Sequence, residues 1–139
     1  MKYKLVKKTV IAGVVLYRVE ALRDFGSVKK GDIGGYVESE ENLSQTGFAW
    51  VSENAKVYGN ARVYGNGRVG GDAMVFGDAR VYDDAYVFGN ARVYGNAYVF
   101  GHAHLYGDAL VYGTAMVYGG EWVSTGRERG KDESRKASL

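Results

Sequence analysis

The chain has no cysteine and no proline, and only two histidines and two tryptophans, among its 139 residues. Without cysteine there is no disulfide framework and no thiolate-ligated zinc or iron–sulfur site. Two histidines fall short of a three-histidine zinc centre, so no metal is expected. The absence of proline beside 21 glycines excludes collagen. Charge of one sign is also scarce: 18 basic against 16 acidic side chains leave a net charge of +2, which implies no strong polyanion partner. No apolar run approaches the ~20 residues that span a bilayer. The basic segment Met1–Lys8 leads to no small-residue cleavage site, and Arg18 interrupts the apolar stretch after it. No signal peptide is read, and a cytoplasmic protein is expected. No phosphate loop, Ser/His/Asp set or cysteine nucleophile is present, so no cofactor is expected either.

The sequence is rich in one thing, a repeat. From Val51 to Val123 an aliphatic residue stands at every sixth position, thirteen times without a slip; Leu105 takes the place of Val once. Ala stands two residues before it in all but two units, where Gly67 and Glu121 replace it. Gly usually stands two residues after it, with Asn or Asp next, so the unit reads A-x-V-[YF]-G-[ND]. A period of six fits neither a helix nor one long strand. Within the unit, A-x-V alternates with period two, which puts Ala and Val on one face of a short strand. Gly and then Asn or Asp supply a corner, because these residues accept left-handed backbone angles cheaply. Short strands and sharp corners repeated without insertion wind into a solenoid.

This pattern resembles the left-handed parallel β-helix of hexapeptide-repeat proteins over residues 49–123. The resemblance implies the left-handed winding and three hexads per coil. Thirteen hexads then make just over four coils, a column roughly 20 Å tall at about 4.8 Å per stacked strand. The lead-in Ala21–Gly47 resembles that of a narrower group of bacterial and prophage hexapeptide proteins described as acyltransferases or as polymer-forming. From this group comes the expectation of a phage or prophage accessory protein.

The expected fold is therefore all-β: a left-handed parallel β-helix over residues 37–123, with an N-terminal β-hairpin cap over residues 1–36. Tyr3–Val6 and Val14–Leu22 are β-rich around a candidate turn at Ala12-Gly13, and the hairpin is expected to lie over the end of the helix. Val37 and Leu43 are six apart but Leu43 and Val51 are eight apart, which predicts a two-residue insertion near Gln45–Gly47. At the other end Glu121 occupies an inward slot where a charge is costly, so the helix is expected to stop there. Residues 124–139 are charged and carry one Leu, and are expected to form a disordered tail.

The residue after each Val is aromatic in most units, and sorting by eighteen residues stacks these rings into ladders. The rings Tyr58, Phe76, Tyr94 and Tyr112 form one ladder; Tyr64, Tyr82, Phe100 and Tyr118 form a second. A third is partial, running Ser52, Gly70, Phe88, Tyr106, Ser124. Aromatic cross-strand pairs stabilise a sheet, and bare aromatic ladders are unusual on a monomer. The residue between Ala and Val turns from basic in the early coils (Arg62, Arg80, Arg92) to apolar in the late ones (Tyr98, Leu110, Met116, Trp122). Beside Phe100, Tyr112 and Tyr118, the late residues read as one contiguous self-association surface. A homo-oligomer is expected, and the resemblance implies a trimer. Arg62, Arg80 and Arg92 beside aromatics suit a small anionic or nucleotide-like ligand. Five basic against seven acidic side chains over residues 49–123 argue against a nucleic-acid track.

Many hexapeptide-helix proteins are acyl- or acetyltransferases with a histidine base. By that resemblance the candidate bases here are His104 and His102. The loop that usually interrupts the helix to shape such a cleft is missing from residues 51–123. The sequence is accordingly read as a non-catalytic β-solenoid scaffold for self-assembly or for ligand and partner binding. The alternatives are a His-dependent acyltransferase and a protein that sequesters a small nucleotide-like ligand between subunits.

Overall fold

The computed structural model describes residues 1–120, 122–124, 127–130 and 134–137. Its regular part is a β-solenoid in which each hexad contributes one short strand and three strands complete a coil. The first face runs upward through Lys56–Val57, Met74–Val75, Arg92–Val93 and Leu110–Gly113. The second runs through Trp50–Val51, Arg68–Val69, Tyr86–Val87, His104–Leu105 and Trp122–Val123. The third holds Arg62–Val63, Arg80–Val81, Tyr98–Val99 and Met116–Gly119. All neighbours within these stacks are parallel and in register, Val57 on Val75 and Val75 on Val93.

The alternation of A-x-V explains the core. Ala55, Ala61, Ala73, Val57, Val63 and Val75 are at most 1% exposed, and the later Ala and Val slots follow suit. Small Ala beside medium Val suits a narrow interior filled from three sides. The corners are equally regular. Gly59, Gly77 and Gly95 stack in one column with φ of 66°, 68° and 69°. A Cβ on Gly77 would also stand 3.0 Å from the Gly95 nitrogen. Among the described residues, two corners of the repeat lack glycine, at Glu53 and Asp83, and both keep the left-handed backbone, with φ of 58° and 55°. Their carboxylates accept from the backbone N–H groups of Gly71 (2.9 Å) and Gly101 (3.1 Å) one coil on, which offsets the strain.

The N-terminal end is closed by a cap. Strands β1 (Tyr3–Ile11) and β2 (Val14–Ala21) form an antiparallel hairpin around Ala12 and Gly13, both at positive φ. β3 (Ile33–Val37) pairs antiparallel with β2 and parallel with Lys56–Val57, so the hairpin continues the first face edge to edge. Gly35 permits that approach, since a Cβ there would stand 2.6 Å from the Ala55 carbonyl oxygen. Val37 faces Val57 and Leu43 faces Val63, each twenty residues on, whereas Val51 faces Val69 at eighteen. The extra two residues lie between Leu43 and Val51, as the spacing predicts. The open end of the core is covered by Tyr3, Phe25 and Trp50, packed edge to face at ring separations of 6.5 and 5.3 Å. Trp50 sits in an outward slot of the repeat yet is 7% exposed, because the cap folds over it.

Polar groups are buried where strand pairing ends. Asn42, itself buried, donates to the Ala61 and Gly59 carbonyls (2.9 and 3.2 Å) and accepts from the N–H groups of Glu38 and Ser39. Lys2 is fully buried; its ammonium donates to the Ala49 carbonyl at 2.7 Å and lies 5.1 Å from the centre of the Phe25 ring.

The far end departs from expectation. Arg127–Gly130 and Ser134–Ala137, placed by composition in a disordered tail, run as strands parallel to Leu110–Gly113 and Met116–Gly119. Backbone pairing onto an existing strand edge requires no apolar side chain, and composition does not report it. Val123, beyond Glu121, is likewise buried. Glu121 itself, on which the expected stop rested, lies outside the described residues, as does the side chain of Trp122.

Val87 is fully buried between Val69 and Leu105. Val87→Asp places an unpaired charge there at a cost of several kcal/mol; circular dichroism is expected to show no cooperative melt. Burial, aided by the Arg23 charge, lowers the Lys2 pKa to about 8. From pH 8 towards 10.5 the unfolded chain holds the proton that the fold has released, so stability rises with pH. Burial, then Glu40, raises the Tyr3 hydroxyl above its usual 10.0, so above pH 10 the unfolded chain ionises first and stability falls. Melting temperature is expected to be higher at pH ~9.5 than at ~7.5, and the Lys2→Met variant to lose that rise.

Candidate binding faces

Each face carries two outward columns, because residues x and [YF] of the unit are two apart on one strand. On the first face Lys56, Met74, Arg92 and Leu110 run beside the ladder Tyr58–Phe76–Tyr94–Tyr112. On the third, Arg62, Arg80, Tyr98 and Met116 run beside Tyr64–Tyr82–Phe100–Tyr118. Ring separations are 5.1, 5.0 and 5.3 Å in the first ladder and 4.9, 5.0 and 5.1 Å in the second, and planes diverge by at most 8°. The spacing matches that of the strands beneath. Burial raises the Tyr58 and Tyr82 pKa values, opposed at Tyr58 by Arg92; Tyr64, Asp83 and Tyr98 add to the rise at Tyr82.

The residues expected to form one late-coil surface are distributed over separate faces. Leu110, Tyr112 and Arg92 belong to the first face. Tyr98, Phe100, Met116 and Tyr118 share the third with Arg62 and Arg80. Trp122 extends the second. Consecutive hexads point in three directions, so neighbours in sequence are not neighbours in a patch. The first face combines Arg92 with Leu110 and Tyr112, and the third combines two stacked basic residues with late apolar ones. There Arg80 lies over Tyr98, 5.7 Å from the ring centre, and its pKa is raised first by a hydrogen bond to Tyr64 and then by Tyr98.

The second face holds residues that the periodicity did not single out. Ser52 and Gly70 interrupt its ladder, and Phe88 stacks on Tyr106 at 5.6 Å only beyond the gap. A groove of about 290 Å³ opens over Gly70 between Ser52, Glu53, Tyr86, Phe88 and His104. A second, of about 350 Å³, lies across Tyr86 towards Phe48, Arg68 and Asp84. Phe48 is 52% and Tyr86 38% exposed. The two empty ladder positions are the signal in the sequence; Phe48 falls in the irregular coil and has none.

The two candidate histidines lie two residues apart, in different settings. His104 Nδ1 lies 2.8 Å from the His102 carbonyl oxygen, and its ring is tilted against Tyr86. His102 occupies a corner, 3.6 Å from the Asp84 carboxylate one coil below. Corner amides also pair with carboxylates of a neighbouring coil, but of the one above, Asn60 donating to Asp78 and Asn66 to Asp84, each at 3.1 Å. Among the described residues, no group of three His, Asp or Glu side chains is placed to hold a metal ion, and no helix is long and apolar enough to cross a membrane.

Tyr82 stacks on rings above and below and meets Tyr98 edge-on at 6.2 Å, whereas the ladder gives Tyr118 one stacked neighbour. With each aromatic pair worth about 0.5–1.5 kcal/mol, Tyr82→Leu is expected to cost about twice what Tyr118→Leu costs, measured by urea denaturation.

The comparisons with known proteins agree with this architecture. No curated protein matches the chain. Residues 55–71, about one coil, are similar to the family described as the YdcK Beta solenoid repeat.

Proposed function

We propose that the protein is a non-catalytic β-solenoid scaffold that packs side by side with further copies of itself. The observation that carries this reading is the pair of unbroken four-ring ladders on the first and third faces. On the third face the ladder is flanked in the late coils by Tyr98 and by Met116, which is 39% exposed. Apolar surface withdrawn from water contributes about 25 cal/mol per Å², and a standard interface uses about 800 Å² per partner. A rigid face four rungs tall presents its rings already ordered, which lowers the entropy lost on association. Lateral packing is favoured over end-to-end growth because the cap covers the N-terminal opening of the core. The assembly is a closed trimer, the arrangement that the hexapeptide resemblance implies.

Leu110 and Met116 point from different faces, so single variants separate the two candidate interfaces. Light scattering at high micromolar concentration is expected to give a multiple of the chain mass for the wild type. Met116→Glu is expected to lower that mass without lowering the melting temperature by more than a few degrees, and Leu110→Lys to leave it unchanged if the third face is the interface. A monomeric wild type refutes the proposal.

A further inference from the structure

The early coils of the third face set two like charges side by side. Arg62 and Arg80 stand on adjacent rungs in register, and both are exposed. Like charges directly across a ladder repel; Arg also fills this slot at Arg68 and Arg92, but there the paired rungs carry Trp50 and Tyr86, or Met74 and Leu110. Among the described residues, no carboxylate is within ion-pair distance of either guanidinium. Arg80 is engaged by Tyr64 and Tyr98. Arg62 has no such neighbour among the described residues.

The second observation is where the ladder stops. Tyr64 stacks on Tyr82 on one side; on the other, the preceding rung carries Ser44, whose N–H donates to the Val63 carbonyl. The place of a further ring is therefore taken by a small hydroxyl side chain. Tyr64 opens onto a groove of about 430 Å³ bounded by Arg62, Arg80, Ser44, Gln45, Glu41 and Glu40, whose carboxylate accepts from the Gln45 amide at 2.8 Å. The first face differs at the same level. There Glu38 precedes Tyr58 and accepts from the Gly59 N–H, and Lys56 lies 5.5 Å from the centre of the Tyr36 ring.

We propose that this groove binds a phosphomonoester carrying a flat ring, a mononucleotide in chemical class. The phosphate bridges Arg62 and Arg80, whose planar forks match its oxygens and whose repulsion it relieves. The ring occupies the position above Ser44 and extends the aromatic ladder by one member. Arg62, on the strand Arg62–Val63, and Tyr64, just past its end, are two residues apart, about 6.6 Å along an extended chain, a separation of the order that a nucleoside monophosphate spans between phosphate and base. Glu41 at the rim accepts from hydroxyl or amino groups of the ligand, which distinguishes such a ligand from a bare anion.

Isothermal titration with 5′-AMP, 5′-CMP, adenosine and inorganic phosphate tests this. At least one of the two monophosphates is expected to bind saturably, with adenosine and phosphate at least tenfold weaker. Arg62→Ala is expected to weaken that binding at least tenfold while leaving the unliganded melting temperature unchanged or higher. Tyr64→Leu is expected to weaken monophosphate binding to the level of phosphate. Met116→Glu, on the same face but in the late coils, is expected to leave binding intact, which separates this site from self-association. The proposal is overturned if neither monophosphate binds, if phosphate alone binds as tightly, or if Arg62→Ala binds like the wild type.

Discussion

Every coil hangs on the next through the same set of backbone bonds. The N–H groups of Lys56, Tyr58 and Asn60 donate to the carbonyls of Ala73, Val75 and Gly77, at 3.0, 3.0 and 2.8 Å, and the pattern continues up the column. Because the return is fixed at one coil, from Trp50 to Val123 a residue sits above the one eighteen residues earlier. Core packing, corner amide pairs and aromatic ladders are consequences of that register. A corner that opened or gained a residue would shift every stack above it. That accounts for how tightly the corners are held: by glycine at most levels, and at Glu53 and Asp83 by a carboxylate bonded to the next coil.

The cap solves a problem that the repeat cannot solve for itself. A solenoid ends in exposed strand edges and an open core. Here β3 covers the edge of the first face by parallel pairing and β2 pairs antiparallel onto β3, Asn42 closes the edge of the third with side-chain amide bonds, and Tyr3, Phe25 and Trp50 close the core itself. The cost appears at Lys2, whose ammonium is removed from water and held by carbonyls instead. A buried amine with carbonyl partners and no counter-charge lowers stability near neutral pH.

What could be read from the sequence was whatever the six-residue period controls. The inward Ala and Val, the ladders from Tyr58 and Tyr64, and the insertion between Leu43 and Val51 all come from spacing. Trp50 shows the limit: its slot is outward by period, and only the cap, brought in from far along the chain, makes it buried. Arg127–Gly130 shows another, since backbone pairing is indifferent to the charged side chains that dominate composition there. The late-coil residues divide between faces for a third reason. Leu110, Met116 and Trp122 look adjacent in a list of hexads, but successive hexads face different ways, and only residues eighteen apart share a column.

The same rule explains how one face holds two chemistries without conflict. A parallel stack lets composition vary along the axis while the backbone stays constant, so the third face is basic at Arg62 and Arg80 and apolar at Tyr98 and Met116. The ladder from Tyr64 to Tyr118 crosses both regions unbroken. Rings stacked at about 5 Å leave little room for independent rotamer changes, so the wall beside the arginines and the surface beside Met116 are rigid parts of one element. Coupling between a ligand at one end and a second copy at the other would require that element to have two arrangements. In-register strands a few residues long, held on both sides by identical neighbours, supply only one. The two regions are therefore expected to act additively, and it is the stiffness of the repeat that allows each to be altered without disturbing the other.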